Sequence, residues 1–197
     1  EFVKSSVRDF SLNLLEAFAF VVIVMLLFTG LRTGEIDGLQ WQYVDFERRQ
    51  ILIRETLVRG RIESTKTEGS MREVDMTQPV YEALWDQAQA TQGLSRFVFC
   101  NREGGPLDQK NVANRVWYPL LRYLGLELRR PYQTRHTAAT LWLAAGESPE
   151  WIARQLGHTN TEMLFRVYSR YVPNLTRQDG SAVDQLLQNH GFTKEFE

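Results

Sequence analysis

Tyr132, Arg135, His158 and Tyr168 fall within one stretch, Pro131 to Tyr171, and are separated by short helical patterns. An arginine can fork two hydrogen bonds onto an oxyanion, and a histidine can donate another. A tyrosine hydroxyl has a pKa of about 10, so it attacks well only beside a cationic site that stabilises phenolate. Upstream stand Arg32, with the acid Glu35 one helical turn on to brace an arginine, and Lys66. Residue types of this kind suit charge neutralisation at a phosphate.

The elements that must position them can be read from the pattern. Arg135 and His136 open a helix through Ala138, Leu141, Trp142 and Ala145, which Gly146 stops. Ser148-Pro149-Glu150 restarts a helix with a cap, a first-turn proline and a first-turn acid. That helix carries Trp151, Ile152 and Leu156 and ends at Gly157, with His158 next. Thr159-Asn160-Thr161-Glu162 reads as a capping box, opening a third helix through Met163, Leu164, Val167 and Tyr168. Tyr168 and Tyr171 lie one turn apart on it, so geometry alone does not choose between them.

Upstream, the apolar run over 17–28 is too short for a membrane span, and Thr29-Gly30-Leu31-Arg32 follows it where a signal peptide would have a cleavage site. It reads as a helix buried on all sides whose end delivers Arg32. Residues 51–58 (ILIRETLV) read as one alternating strand, Arg59-Gly60 as a turn, Ile62 to Thr65 as a return strand and Arg72 to Met76 as a third. Lys66 then sits near the tip between the second and third strands. Pro79 to Gln89 is an amphipathic helix with Val80, Leu84 and Ala88 inward, and Phe97 to Cys100 a short buried segment. Asp108 caps a helix through Val112, Trp117 and Leu124 that Pro119 should kink or split. Beyond Tyr171, Pro173 breaks the helix, Asp179-Gly180-Ser181 makes a linker, and Ala182, Val183, Leu186 and Leu187 mark a short amphipathic helix.

The 197 residues suffice for one core, and the composition is that of a globular protein, 43% hydrophobic and 24% charged. Cys100 stands alone, which excludes an internal disulfide and a multi-cysteine zinc site and points to a reducing compartment. No acidic triad is spaced for magnesium, and the 3 histidines are scattered, so no metal is implied. The net charge of −1 is uninformative as a total. Its distribution says more: Arg48, Arg49, Arg54, Arg59, Arg61 and Lys66, then Arg122, Arg129, Arg130 and Arg135, gather around the candidate residues.

Four segments in order carry a resemblance. Thr29-Gly30-Leu31-Arg32-Thr33-Gly34-Glu35 comes first, then Ser64-Thr65-Lys66-Thr67 followed by Arg72-Glu73-Val74. Arg135-His136-Thr137, with Tyr132 just upstream, is third, and Leu156-Gly157-His158 with the later Tyr168 is fourth. In this order and spacing they resemble the tyrosine recombinases, the phage-integrase family, over roughly residues 21–174. The resemblance implies a mainly α fold with a small three-stranded antiparallel sheet at one edge. It also implies a site-specific recombinase that cuts and rejoins DNA through a 3′-phosphotyrosine.

On that resemblance Tyr168 is the nucleophile, chosen over Tyr171 by its spacing from His158. Arg32, Arg135 and His158 bind the phosphate oxygens, and Lys66 protonates the departing 5′ oxygen. The bond energy is conserved in the phosphotyrosine, so rejoining needs neither ATP nor another cofactor. The family usually has histidine where Tyr132 stands; a tyrosine can donate a hydrogen bond there but is a poor base near neutral pH. Residues 1–177 are expected to form the catalytic domain and 178–197 a tail, the upstream core-binding domain of other members being absent. The implied partners are double-stranded DNA, a tetramer of the chain on that DNA and accessory DNA-bending proteins, in a bacterial cytoplasm and away from membranes. Two other readings use the same residues or fold: a type IB topoisomerase-like relaxing activity, and a DNA-binding domain that does not cleave.

Overall fold

The computed structural model describes residues 18–64, 70–168 and 189. Lys66, Tyr171 and the expected tail helix lie outside the described residues. Helix α1, described over 18–28, is capped by the buried Thr29, whose hydroxyl donates to Met25 O at 2.6 Å and accepts from Leu31 N at 3.2 Å. It is not buried on all sides as its composition suggests, because Phe20 is 62% exposed. Its other face, including Val21, Met25 and Leu26, enters the larger of two hydrophobic clusters.

Helix α2 (Thr33–Asp37) leads through a single turn (Trp41–Tyr43) to the strands. β1 (Val44–Asp45), β2 (Gln50–Ile53) and β5 (Arg72–Asp75) form a three-stranded antiparallel sheet in the order β1-β2-β5. β3 (Glu55–Val58) and β4 (Arg61–Ser64) form a separate antiparallel pair. The expected single strand over 51–58 is therefore two strands, and the third expected strand pairs with β2 rather than with the return strand. The break falls at Arg54, where the chain changes partner and the Arg54 guanidinium bonds the carbonyls of Ile53 and Arg72, each at 3.1 Å. Ile51, Ile53 and Val74 point inward from the sheet and are at most 1% exposed. Burying each such side chain contributes roughly 1.5–3 kcal/mol. They belong to the first cluster together with α3 (Gln78–Thr91), whose inward residues include Val80, Leu84 and Ala88.

Asp108 caps α4 (Gln109–Val112), accepting from Asn111 N at 2.9 Å. A π-helical turn (Ala113–Trp117) follows, and then α5 (Tyr118–Tyr123). Pro119 lacks the N–H that would continue the ladder, and the wide turn just ahead of it absorbs the mismatch. The second cluster joins α6 (Gln133–Ala144), α7 (Pro149–Leu156) and α8 (Glu162–Tyr168) through Ala138, Trp142, Ile152, Leu156, Leu164 and Tyr168. α6 starts before Arg135, since Tyr132 already has helical dihedrals. α8 starts at Glu162, with Phe165 N bonded to Thr161 O at 3.0 Å, so Thr161 holds the cap position and the expected Thr159 capping box does not form. Among the described residues no helix is long and apolar enough to cross a membrane.

Candidate active site

The two hydrophobic clusters meet where the ends of α1, α6 and α7 converge. Gly30, at φ 61°, makes the turn after α1, and a Cβ there would lie 2.8 Å from Leu156 Cδ2 and 3.0 Å from the Trp142 ring. Only glycine brings the chain this close to the second cluster in this conformation. The Gly30 carbonyl accepts from Arg135 Nη1, and Arg135 Nη2 donates to the Leu156 carbonyl. Arg135 is thus a buried clamp between the two clusters, 4% exposed.

The C-terminus of α7 explains why cations collect here. Such an end leaves four carbonyls without intrahelical partners and carries a partial negative charge. Gly157 is left-handed, at φ 66°, and its N–H together with that of His158 covers the carbonyls of Ala153 and Arg154 in a Schellman-type cap. The next two carbonyls are covered by arginines from elsewhere in the chain: Gln155 O by Arg72 Nε at 2.8 Å, and Leu156 O by Arg135. His158 therefore leaves the helix at a fixed point beside two guanidinium groups.

Arg32 occupies the cap position of α2. Its backbone N–H and Nη1 reach the two oxygens of Glu35 at 2.8 and 2.9 Å. Glu35 is buried, and Arg72 forks onto the same carboxylate with Nη1 at 2.9 Å and Nη2 at 2.8 Å. Burial pushes the Glu35 carboxyl up, but the bonds and charges of Arg72 and Arg32 outweigh it and hold the group below its usual range. One carboxylate therefore serves two arginines. The Arg32 side chain remains 41% exposed, with most of its donors available to a ligand.

The groups titrate as a crowded cationic site would make them. Burial, then the charges of Arg32 and Arg72, pushes Arg135 down to about 10, so it stays charged at neutral pH. Burial, then the charges of Arg135, Arg32 and Arg72, pushes His158 down to about 4. His158 Nδ1 is buried without a hydrogen-bond partner among the described residues. A cleft of about 370 Å³ runs beside it, lined by Arg72, Gly157, His158, Thr159 and Asn160 among others.

Tyr168 lies against α6, 5% exposed, with its hydroxyl hydrogen-bonded to His136 Nδ1. Burial raises its pKa, and the Arg135 charge counters part of that rise. Tyr132 sets its edge against His136, with ring centroids 5.7 Å apart, and is 48% exposed. A cavity of about 660 Å³ opens beside Tyr168 and His136, with Trp117, Leu121 and Val167 in its walls.

The structure thus brings Arg32, Glu35, Arg135 and His158 to one place, with Tyr168 within the field of Arg135 and Tyr132 at the rim. Lys66 is outside the described residues, between β4 and β5. Sequence reasoning gave no role to Arg72 or His136. Both sit in motif segments, Arg72 six residues after Lys66, but only long-range pairing shows what they touch. Among the described residues no cluster of His, Cys, Asp and Glu could hold a metal.

Comparison with known proteins agrees in order and extent with these segments. The phage integrase family matches over residues 9–174. The chain belongs to the phage integrase family. The prophage integrase IntR of Escherichia coli is 29% identical over 185 residues, covering 81% of this chain and 45% of that protein. The transposase from transposon Tn916 of Enterococcus faecalis is 30% identical over 165 residues, covering 75% and 41%. This integrase-family chain therefore spans under half the length of those relatives. The Tn1549 transposon integrase, solved in complex with a circular intermediate DNA, superposes with a TM-score of 0.69 at 23% identity, covering 86% of this chain and 58% of that one. At that identity the likeness establishes the tyrosine-recombinase catalytic-domain fold.

Proposed function

We propose that this chain is the catalytic domain of a site-specific DNA recombinase that cleaves and rejoins strands through a 3′-phosphotyrosine. The observation that carries the reading is the charge balance around Glu35. Arg32, Arg72 and Arg135 share one site with a single buried carboxylate, and Arg32 still presents donors outward. A phosphodiester is the anion such a site is short of. Arg32 and Arg135 bind its non-bridging oxygens and tighten on them as charge gathers in the five-coordinate transition state. The neutral His158 donates one further hydrogen bond. As the Tyr168 oxygen attacks phosphorus, its proton passes to His136 Nδ1, to which the hydroxyl is hydrogen-bonded, and Lys66 gives a proton to the departing 5′ oxygen. Tyr132 donates from the rim without acting as base.

The names of the relatives, integrase and transposase, support double-stranded DNA as the substrate. By the same family reading, residues 1–177 make the catalytic unit and 178–197 a tail that joins neighbours in a tetramer on DNA, with accessory DNA-bending proteins assisting in a bacterial cytoplasm.

A nicked suicide duplex carrying a cognate core site tests the proposal. The expected result is a covalent protein–DNA adduct that Tyr168→Phe abolishes while DNA binding persists and Tyr171→Phe leaves in place. A mobility shift with no adduct on any such duplex would mean a binding domain. Topoisomers formed from a supercoiled plasmid lacking the site would mean relaxation without synapsis.

A further inference from the structure

Arg72 opens β5, is only 7% exposed and borders the cleft beside His158, yet its guanidinium is engaged with protein groups. It engages three separate parts of the site. Its Nη atoms fork onto both oxygens of Glu35 at 2.9 and 2.8 Å, its Nε donates to Gln155 O at 2.8 Å, and Nη1 also reaches Ser70 O at 3.4 Å. The forked pair fixes the plane of the Glu35 carboxylate, because both oxygens must stay level with the guanidinium. That plane in turn sets Arg32, which takes its backbone and side-chain bonds from the same two oxygens. The third bond holds the Gln155 carbonyl, next to the one Arg135 holds and three residues before His158.

The sheet supports this arrangement from behind. Gln155 Oε1 accepts from Asp75 N at 2.9 Å, and Gln155 Nε2 donates to Asp75 Oδ2 at 2.9 Å, so β5 and α7 are cross-linked at both ends of one strand. Trp151 Nε1 adds a third bond to Asp75 Oδ2 at 2.9 Å. β5 is therefore a rigid rail, and Arg72 is the point where it meets α2 and α7.

We propose that Arg72 is a positioning residue for phosphate activation: it aims the Arg32 guanidinium through Glu35 and anchors the turn that presents His158. The inference rests on the recombinase reading for its consequence, but its geometric claim concerns Arg32 and Glu35 alone. A lysine at 72 keeps the charge and loses the fork, since an ammonium is a point donor. A residue that served only to neutralise Glu35 would tolerate that change.

The test compares full-length Arg72→Lys, Glu35→Gln and the double variant with the unchanged chain. Single-turnover cleavage of saturating suicide duplex, DNA affinity, melting temperature and 15N guanidinium spectra are measured, with Arg32 assigned by Arg32→Lys. Positioning predicts resolved Arg32 Nη signals in the unchanged chain that merge in Arg72→Lys. It also predicts about a 10²-fold slower cleavage at nearly unchanged affinity, as a misplacement of about 1 Å causes. The double variant should lose no more than the worse single one, because both act through one link. If Arg72→Lys does not fold, Glu35→Gln alone must merge the Arg32 signals. Unchanged Arg32 signals in the folded variants, or losses that multiply in the double variant, overturn the proposal. If the unchanged chain forms no adduct, the recombinase reading fails instead, and the Arg32 signals still decide the role of Arg72.

Discussion

The Tyr168 hydroxyl is hydrogen-bonded to His136 Nδ1, on the face of α6 adjoining Arg135. The proposed nucleophile is thereby held against the second cluster, 5% exposed, while Tyr132 at the rim is 48% exposed. Nitration of the free protein should modify Tyr132 and spare Tyr168. His136→Ala should make Tyr168 reactive, as peptide mapping will show. Equal nitration of both rings in the unchanged chain would contradict the packing.

The two proposed phosphate arginines should differ in what they cost the fold. Each removes a preorganised donor, so Arg32→Ala and Arg135→Ala should both slow cleavage by about 10²–10³-fold. Arg135→Ala also strips the carbonyls of Gly30 and Leu156 of a donor. A buried group left unpaired costs about 1–3 kcal/mol, or roughly 2–4 °C of melting temperature per kcal/mol. Arg32→Ala, at the half-exposed position, should melt closer to the unchanged chain. The reverse order of melting temperatures would contradict the clamp.

His158 should titrate near pH 4 in the free protein, pushed there by burial and then by the neighbouring arginines. Because its folded pKa lies below the unfolded value, the unfolded chain binds the extra proton first. The contribution of His158 to stability is complete above about pH 6.5 and is lost as pH falls towards 4. Imidazole NMR follows the midpoint directly, and an oxyanion such as vanadate in the site should raise it. A midpoint at or above 6.5 in the free protein would refute the assignment.

Lys66 is tested by its leaving group. As general acid it is needed on ordinary DNA, where the 5′ oxygen departs with a proton. On a 5′-phosphorothiolate duplex sulfur leaves without one, so Lys66→Ala should recover cleavage there. No recovery would limit Lys66 to holding phosphate.

Asp37, at the end of α2, is pushed up to about 7 by burial and by the charge of Asp108. Its folded pKa lies above the usual carboxylate value, so the folded state is favoured while the group is protonated. Stability from this site is present below about pH 3.8 and is lost as pH rises through 7. Asp37→Asn, which imitates the protonated form, should raise the melting temperature at pH 8 and have little effect at pH 3.5. A gain that is equal at both pH values would show that charge is not the cause.

Local signals are where the sequence alone was sufficient. Ser148-Pro149 starts α7, Gly157 ends it and Asp108 caps α4, because caps and left-handed stops depend on a few adjacent residues. The order and spacing of the motif residues likewise determined the family. What depends on partners distant in the chain was decided only by tertiary structure. Residues 51–58 alternate like one strand, yet Arg54 divides them because β5 and β4 compete for different halves. Thr159 and Glu162 are correctly spaced for a capping box, but the turn that presents His158 delays α8 to Glu162. Arg72 and His136 look like ordinary motif neighbours until β5 is docked on α7 and α8 on α6. A buried side chain takes its role from the groups that close around it, and those groups come from elsewhere in the chain.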